Sequence, residues 1–160
     1  GHTSRLADLP HQCKKIKALR GAGKAAGVSI VINARTDGLL NRVGEEKDRF
    51  AEAVRRGRAY REAGADCIFI PGVSDSGMIE KLVESIGGPI NILAVPGSPS
   101  IPQLQRLGVK RVSLGSGPHR ATLGLLQEIA EELKASGTYS SVANHALSYA
   151  DAQRLVARKP

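Results

Sequence analysis

An arginine followed closely by an aspartate ends the apolar segment Val28–Asp37 (VSIVINARTD), which predicts a buried strand. Arg35 at such a strand end can hold a carboxylate or a phosphate through two parallel hydrogen bonds, which a lysine cannot reproduce. The alternative is that Arg35 braces its own loop by pairing with Asp37 or with backbone carbonyl groups. The first interpretation predicts a site for a small anionic substrate, with Arg35 as its clamp.

Three further positions are candidates for contact with a substrate. Gly72 and Gly115 follow later apolar segments, and glycine lets a ligand approach the main chain closely. A plain turn is an equally good explanation of Pro71-Gly72. Asn91 lies among apolar neighbours and needs hydrogen-bond partners, so it either binds substrate or bridges adjacent strands.

Carboxylates are scarce where a metal site or an acid–base site would need them. Asp37 is the one carboxylate that the sequence places at a strand end. A Mg²⁺ site needs several convergent oxygen ligands, and the chain does not offer them. The acids that follow lie in a polar loop and a helix start, where they suit the helix dipole: Glu45, Glu46 and Asp48.

The composition is that of a globular chain long enough to bury a core, with 160 residues of which 41% are hydrophobic. No apolar run approaches the roughly 20 residues that span a bilayer, and the N-terminal sequence lacks the layout of a signal peptide. Cys13 and Cys67 have no metal-ligand spacing, which argues against a zinc or disulfide framework. We therefore expect a cytoplasmic protein.

The net charge of +8 is compatible with a nucleic acid, an anionic substrate or an acidic partner surface. Only 3% of the residues are aromatic and none is interleaved with a basic run, whereas base-stacking surfaces need such aromatics. The basic residues are spread along predicted helices, which favours solvated helix faces. We expect neither a nucleic acid nor a membrane as a partner.

Strand and helix patterns alternate along the chain and position these residues. Strands are predicted over Val28–Ala34, Asp66–Pro71, Ile90–Val95 and Arg111–Gly115. The predicted helices are Pro10–Ala26, Asp48–Ala63, one opening at Asp75, a short one capped by Ser100, Arg120–Ala135 and Tyr149–Arg158. Apolar side chains mark the core side of the fifth helix: Leu125, Leu126, Ile129 and Leu133.

This alternation predicts a parallel sheet with right-handed crossovers. Four βα units could form an open doubly wound sheet or half of an eight-unit barrel. The glycine motif of dinucleotide-binding sheets is incomplete, because Gly115-Ser116-Gly117 lacks its third glycine. In both architectures ligands bind where strands end, which is where Arg35 and the other candidates lie.

Several segments together resemble the isocitrate lyase/phosphoenolpyruvate mutase superfamily. They are VINARTD, RFAEAVRRGRAYREAGADCIFIPG and GPINILAVPGSPSIPQLQRLGVKRVSLG, preceded by GHTSRLADLPHQCKKIKALR, and the similarity extends from about Leu6 to Leu133. The resemblance implies a (β/α)8 barrel of TIM type, in which the four predicted strands are the fifth to eighth. It implies that Arg35 matches the family arginine that grips the substrate carboxylate.

The resemblance also implies a Mg²⁺-dependent lyase, mutase or hydrolase that cleaves C–C or P–C bonds of small 2-oxo or 2-hydroxy carboxylic acids, with the metal polarising an enolate-like intermediate. The family's metal-binding acids lie N-terminal to the matching segments, so the ligands are not present in this chain. Gly72 stands where family lyases acting on isocitrate-like substrates carry a glutamate, which argues against isocitrate lyase and methylisocitrate lyase activity.

We therefore expect one partial-barrel domain over residues 1–160, with residues 138–160 as a C-terminal helical extension. A half barrel exposes two strand edges, which predicts a homo-oligomer, a complementing N-terminal half, or association through the last helix, which family members often exchange. Two functions follow from these expectations. The chain is part of a lyase-type enzyme, or it is a truncated and catalytically silent half barrel that serves as a binding or assembly module.

Overall fold

The computed structural model describes residues 5–157, and the chain divides into two compact units, residues 1–115 and residues 116–160. In the first unit the elements are α1 (Leu9–Ala25), β1 (Asn33–Arg35), α2 (Glu46–Glu62), β2 (Cys67–Ile70), α3 (Ser76–Ile86), β3 (Ile90–Leu93), α4 (Ile101–Arg106) and β4 (Arg111–Ser113). In the second they are α5 (Gly117–Ser136), α6 (Ser140–His145) and α7 (Tyr149–Val156).

The four strands form one parallel sheet in the order β1-β2-β3-β4. Each strand therefore pairs with its neighbour in the chain, and a helix connects each pair. A doubly wound sheet would reverse its strand order at a switch point, and no reversal occurs here. The prediction of four consecutive βα units of barrel type is confirmed, and β1 and β4 are the open edges of the described sheet.

One face of the sheet packs against the helices and forms the core. Its central isoleucines are completely buried, and burying each side chain contributes about 1.5–3 kcal/mol to folding. The helices supply Ile79 and Leu82 from α3 and Leu104 from α4, each at most 1% exposed. The central isoleucines are Ile68, Ile70, Ile90 and Ile92.

The first strand is shorter than predicted, so the expectation of a buried strand from Val28 onward is wrong. Val28 and Val31 are 57% and 72% exposed, and the strand begins only at Asn33. The cause is that β1 is an edge strand with a partner on one side. Before it, the chain is held by Asp66, whose carboxylate accepts a hydrogen bond from the Ile32 amide at 2.7 Å.

Arginine side chains connect neighbouring elements of the first unit. Arg20 of α1 donates to the carbonyl oxygens of Ile30 and Gly64 and forms an ion pair with Asp66. The Ile32 amide and Arg20 together lower the pKa of the Asp66 carboxyl. Part of the high positive charge is thus used to hold α1 against the ends of β1 and α2.

Two arginines of α2 cover the carbonyl oxygens at the end of α3. Arg58 Nε donates to the Ser85 oxygen at 2.7 Å, and Arg61 donates to the Gly87 oxygen. The last carbonyl groups of a helix have no partners within the helix, and cations suit the negative end of its dipole. These contacts fix the packing of α2 beside α3.

The second unit differs from its prediction in two respects. None of the α5 side chains is buried, and Leu126 and Leu133 are 57% and 49% exposed, so the predicted burial of the α5 stripe is wrong. The apolar spacing marks a stripe, but its side chains are at most partly buried in the described part of this unit. The short helix α6 was not predicted, and Arg158, the predicted end of the last helix, lies outside the described residues.

Hydrogen bonds to Glu132 connect α5 to α6. The carboxylate accepts from the Thr138 hydroxyl and from the amides of Ser141 and Ser140, the amides at 2.8 Å each. These bonds lower the pKa of Glu132 to about 2. Of the helices within residues 5–157, none combines the length and apolarity needed to cross a membrane.

Candidate functional site

Side chains on the sheet face opposite the core form what we call the open face. Alternation along a strand directs every second residue to this side, and the parallel register aligns them across the sheet. Arg35 aligns with Phe69, Phe69 with Asn91, and Asn91 with Arg111. The open face comprises Asn33, Arg35, Cys67, Phe69, Asn91, Leu93, Arg111 and Ser113.

Arg35 is the last residue of β1 and is held by two contacts. Its Nε donates to Asp37 Oδ1 at 2.6 Å, and its guanidinium carbon lies 5.5 Å from the centroid of the Phe69 ring. The side chain is nevertheless 49% exposed. A cation over an aromatic face gains about 0.5–1 kcal/mol at exposed sites. The predicted brace with Asp37 is present, and it leaves the terminal Nη atoms without a partner among residues 5–157.

The local sequence explains this arrangement. Arg35 and Asp37 are two residues apart at the end of a strand, which brings their side chains to the same side. The Thr36 amide between them donates to the Phe69 oxygen at 3.1 Å and ties the strand end to β2. Asp37 therefore contacts one edge of the guanidinium, and the Phe69 ring lies against one of its faces.

Asn91 is completely buried and forms a reciprocal hydrogen-bonded pair with Ser113. Asn91 Nδ2 lies 3.0 Å from Ser113 Oγ, which in turn lies 3.1 Å from Asn91 Oδ1. Of the two predicted roles, the bridge between adjacent strands is the one formed in this structure. A role of Asn91 in substrate binding stays a prediction.

Gly72 is required by packing between a loop and a strand end. Its φ is +87°, and an added Cβ would lie 2.4 Å from the Leu40 Cα. The loop between β1 and α2 thus rests directly on Gly72. Gly115 also has a positive φ, of +56°, and its Cβ would lie 3.1 Å from Leu93 Cδ1. Substrate contact by either glycine stays a prediction.

Two buried oxygens that the sequence analysis did not single out flank Arg35. Asn33 Oδ1 and Thr36 Oγ1 are inaccessible and have no hydrogen-bond partner in the described structure. An unsatisfied buried polar group costs about 1–3 kcal/mol, so such groups call for an explanation. The sequence signal that could have identified these two residues is a side-chain amide and a hydroxyl within an apolar strand segment.

The residues present do not fit a Mg²⁺ ion. Across residues 5–157, no group of three His, Cys, Asp or Glu side chains could hold a metal. Asp37, the strand-end carboxylate, already pairs with Arg35. Burial raises the pKa of the Cys67 thiol, which disfavours a thiolate ligand on the open face.

Comparison with known proteins places this chain in a family. The model of the family described as phosphoenolpyruvate phosphomutase matches residues 1–134, which include the whole sheet and Arg35. The chain belongs to the phosphoenolpyruvate phosphomutase family. The superfamily resemblance seen in the sequence is thereby confirmed.

Relatives of this phosphomutase-family chain include an uncharacterized protein and a named enzyme. An uncharacterized protein of Mycobacterium tuberculosis strain H37Rv, Rv1998c, is 35% identical over 119 residues, 74% of this chain and 43% of that protein. Phosphonopyruvate hydrolase of Variovorax sp. is 28% identical over 145 residues, 84% of this chain and 48% of the hydrolase. The chain thus spans less than half the length of these curated relatives.

Solved structures agree with the family assignment. A Burkholderia cenocepacia J2315 protein provisionally assigned as a lyase/mutase aligns with 97% of this chain and 55% of its own, at a TM-score of 0.85 and 29% identity. 2,3-Dimethylmalate lyase, a member of the PEP mutase/isocitrate lyase superfamily, aligns with 94% of this chain and 52% of its own, at a TM-score of 0.76 and 25% identity.

Proposed function

We propose that this phosphomutase-family chain is part of an enzyme that cleaves C–C or P–C bonds of small 2-oxo or 2-hydroxy carboxylic acids. The observation that carries the proposal is the state of Arg35, whose side chain contacts Asp37 and Phe69 but remains 49% exposed. A guanidinium held in this way binds a carboxylate with little loss of side-chain entropy. Arg35 would orient the substrate.

The proposal includes a partner that completes the sheet. Both edge strands present unpaired backbone groups, which soluble proteins normally cover or pair. A second copy, or a separate βα half, would pair with β1 and β4. Any metal that the family resemblance implies would then be held outside the residues described here. A cytoplasmic location stays a prediction.

The test is an activity assay of the purified chain with Mg²⁺ against oxaloacetate, phosphonopyruvate and 2-methylisocitrate. We expect the purified chain, alone or after addition of a complementing half, to turn over an oxo acid. The rate should fall at least a hundredfold in Arg35→Ala because the clamp is lost. Arg106→Ala, on the exposed side of α4, is the matched control and should retain activity. Turnover that is indifferent to both chelation and Arg35→Ala would contradict the proposal.

The second candidate function is a catalytically silent module for binding or assembly. It is favoured by the absence, within residues 5–157, of a cluster able to hold a metal, together with the two open strand edges. This candidate predicts that pyruvate binds in an Arg35-dependent manner while no substrate turns over under any metal condition. Robust metal-dependent turnover by this chain alone would rule it out.

A further inference from the structure

We propose that Asp37 tunes the charge preference of the Arg35 site, so that its carboxylate weakens the binding of a dianionic phosphonate or phosphate group more than the binding of a monoanionic carboxylate. The inference rests on the proposed function of Arg35 as an anion clamp. It concerns a residue that the clamp alone does not require.

One edge of the Arg35 guanidinium remains for a ligand. Arg35 Nε carries a single hydrogen, and that hydrogen is donated to Asp37 Oδ1 at 2.6 Å. The side edge formed by Nε and one Nη is therefore closed to a two-bond contact. The Phe69 ring lies against one face of the group. A ligand is left with the end-on edge formed by the two Nη atoms.

Asp37 neutralises Arg35, so the pair carries no net charge of its own. A ligand bound end-on to Arg35 therefore meets the negative charge of Asp37 beside the positive charge of the guanidinium.

Repulsion between Asp37 and the bound group grows in proportion to the charge of that group, and so does attraction to Arg35. A dianion therefore loses more binding free energy than a monoanion from the presence of Asp37, which reduces the advantage that the guanidinium alone would give to a dianion. Asp37 thus tunes the charge preference through its pairing with Arg35.

The experiment is a binding titration with pyruvate as the monoanion and inorganic sulfate as the dianion, followed by NMR or calorimetry at pH 7.5. We expect Asp37→Asn to raise sulfate affinity about three- to tenfold more than pyruvate affinity. The asparagine keeps an oxygen that accepts from Arg35 Nε but removes the charge. Asp37→Glu should restore the wild-type ratio, and Glu80→Gln on the outer face of α3 should leave it unchanged.

The outcomes separate this inference from the function on which it rests. If Arg35→Ala leaves the affinity for both anions unchanged, the clamp itself is wrong. If Arg35→Ala abolishes binding but Asp37→Asn changes both affinities by the same factor, only the charge preference is overturned. Circular dichroism of each variant verifies folding. If Asp37→Asn is misfolded, the ratio of sulfate affinity to pyruvate affinity is compared between Asp37→Glu and Asp37→Ser instead. Only Asp37→Ser should raise that ratio above the wild-type value.

Discussion

At the scale of single residues, Arg35 is held by Asp37 from its own strand end and by Phe69 from the neighbouring strand. Arg35 and Asp37 are close in the chain, so their pairing was foreseeable from spacing alone. Phe69 lies 34 positions further on and reaches Arg35 only through strand register. The Asn91–Ser113 pair is likewise a contact across the sheet, and sequence reasoning left the two roles of Asn91 open for that reason.

The stacking of Arg35 on Phe69 gives a prediction about ligand affinity. Phe69→Leu keeps an apolar side chain of similar volume but removes the ring under the guanidinium. We expect pyruvate binding to weaken about two- to fivefold, because the cation–π contact that orients Arg35 is worth about 0.5–1 kcal/mol. Titration of both proteins measures it, with Leu93→Met on the same face as the control. Unchanged affinity in Phe69→Leu would mean that Asp37 alone holds the arginine.

The buried pair between β3 and β4 gives a prediction about stability. Ser113→Ala leaves the completely buried amide of Asn91 without its partner, and we expect unfolding to become easier by about 1–3 kcal/mol. Denaturant unfolding measures the change. The double variant Asn91→Leu/Ser113→Ala removes both polar groups and should recover part of the loss. A double variant as unstable as the sum of the two single variants would contradict the pairing.

At the scale of elements, the alternation of strands and helices was predictable because periodicity is a local property. Helix α3 begins after Asp75, as predicted, whereas α1 begins at Leu9, one residue before the predicted Pro10. The carboxylates of Asp8 and Asp75 each accept from an amide of the first turn. The length of β1 was not predictable, since it depends on having a partner on one side only. Periodicity marked the apolar stripe of α5 but could not show whether an element covers it.

The contact between Gly72 and the β1–α2 loop gives a matched pair of predictions. Gly72→Ala places a methyl group 2.4 Å from the Leu40 Cα at a φ of +87°, so both backbone strain and a clash result. Gly44→Ala has the same kind of strain, at a φ of +77°, but meets nothing within 4 Å. We expect a loss of about 1 kcal/mol for Gly44→Ala and at least twice that for Gly72→Ala. Thermal unfolding compares them, and equal losses would contradict the packing.

The link from α5 to α6 gives a prediction about pH. Glu132 has an ordinary pKa of 4.5 and a pKa of about 2 in the fold. A lowered pKa contributes stability that is present above the ordinary value and is lost as the pH falls from 4.5 through 2. The protection of the Ser140 and Ser141 amides from hydrogen exchange, relative to the intrinsic rate at each pH, should therefore fall over that window. Glu132→Gln should show fast exchange already at neutral pH, whereas Glu131→Gln should behave like wild type.

At the scale of the whole molecule, the open strand edges and the high net charge have opposite effects on self-association. The sheet ends at β1 and β4, which favours association, whereas a net charge of +8 disfavours a second identical copy. Salt screens the charge but not the edges. Family membership was recognisable from the sequence because the motifs are contiguous. The single partial-barrel domain over residues 1–160, with residues 138–160 as a helical extension, stays a prediction.

The open edges predict a species larger than the monomer in solution, and raising the salt concentration should increase its population. Val31, which is 72% exposed beside β1, is the natural position for a blocking charge. We expect Val31→Lys to lower the measured mass towards that of the monomer without changing helix content, because a charged edge disfavours pairing. Leu19→Lys, at a residue that is 53% exposed on α1, is the control. A wild-type chain that stays monomeric at every salt concentration would contradict this.

The strand order described above has a consequence for how the chain folds. Every strand pairs only with its neighbour in the chain, so the sheet contains no pairing that must wait for a distant segment to arrive. Such an arrangement resembles a linear array in which each unit stabilises the next. Loop-closure entropy is then lost in small increments, and folding can grow from any adjacent βα pair. The edge units should consequently exchange their amide hydrogens before the central β2–β3 pair does.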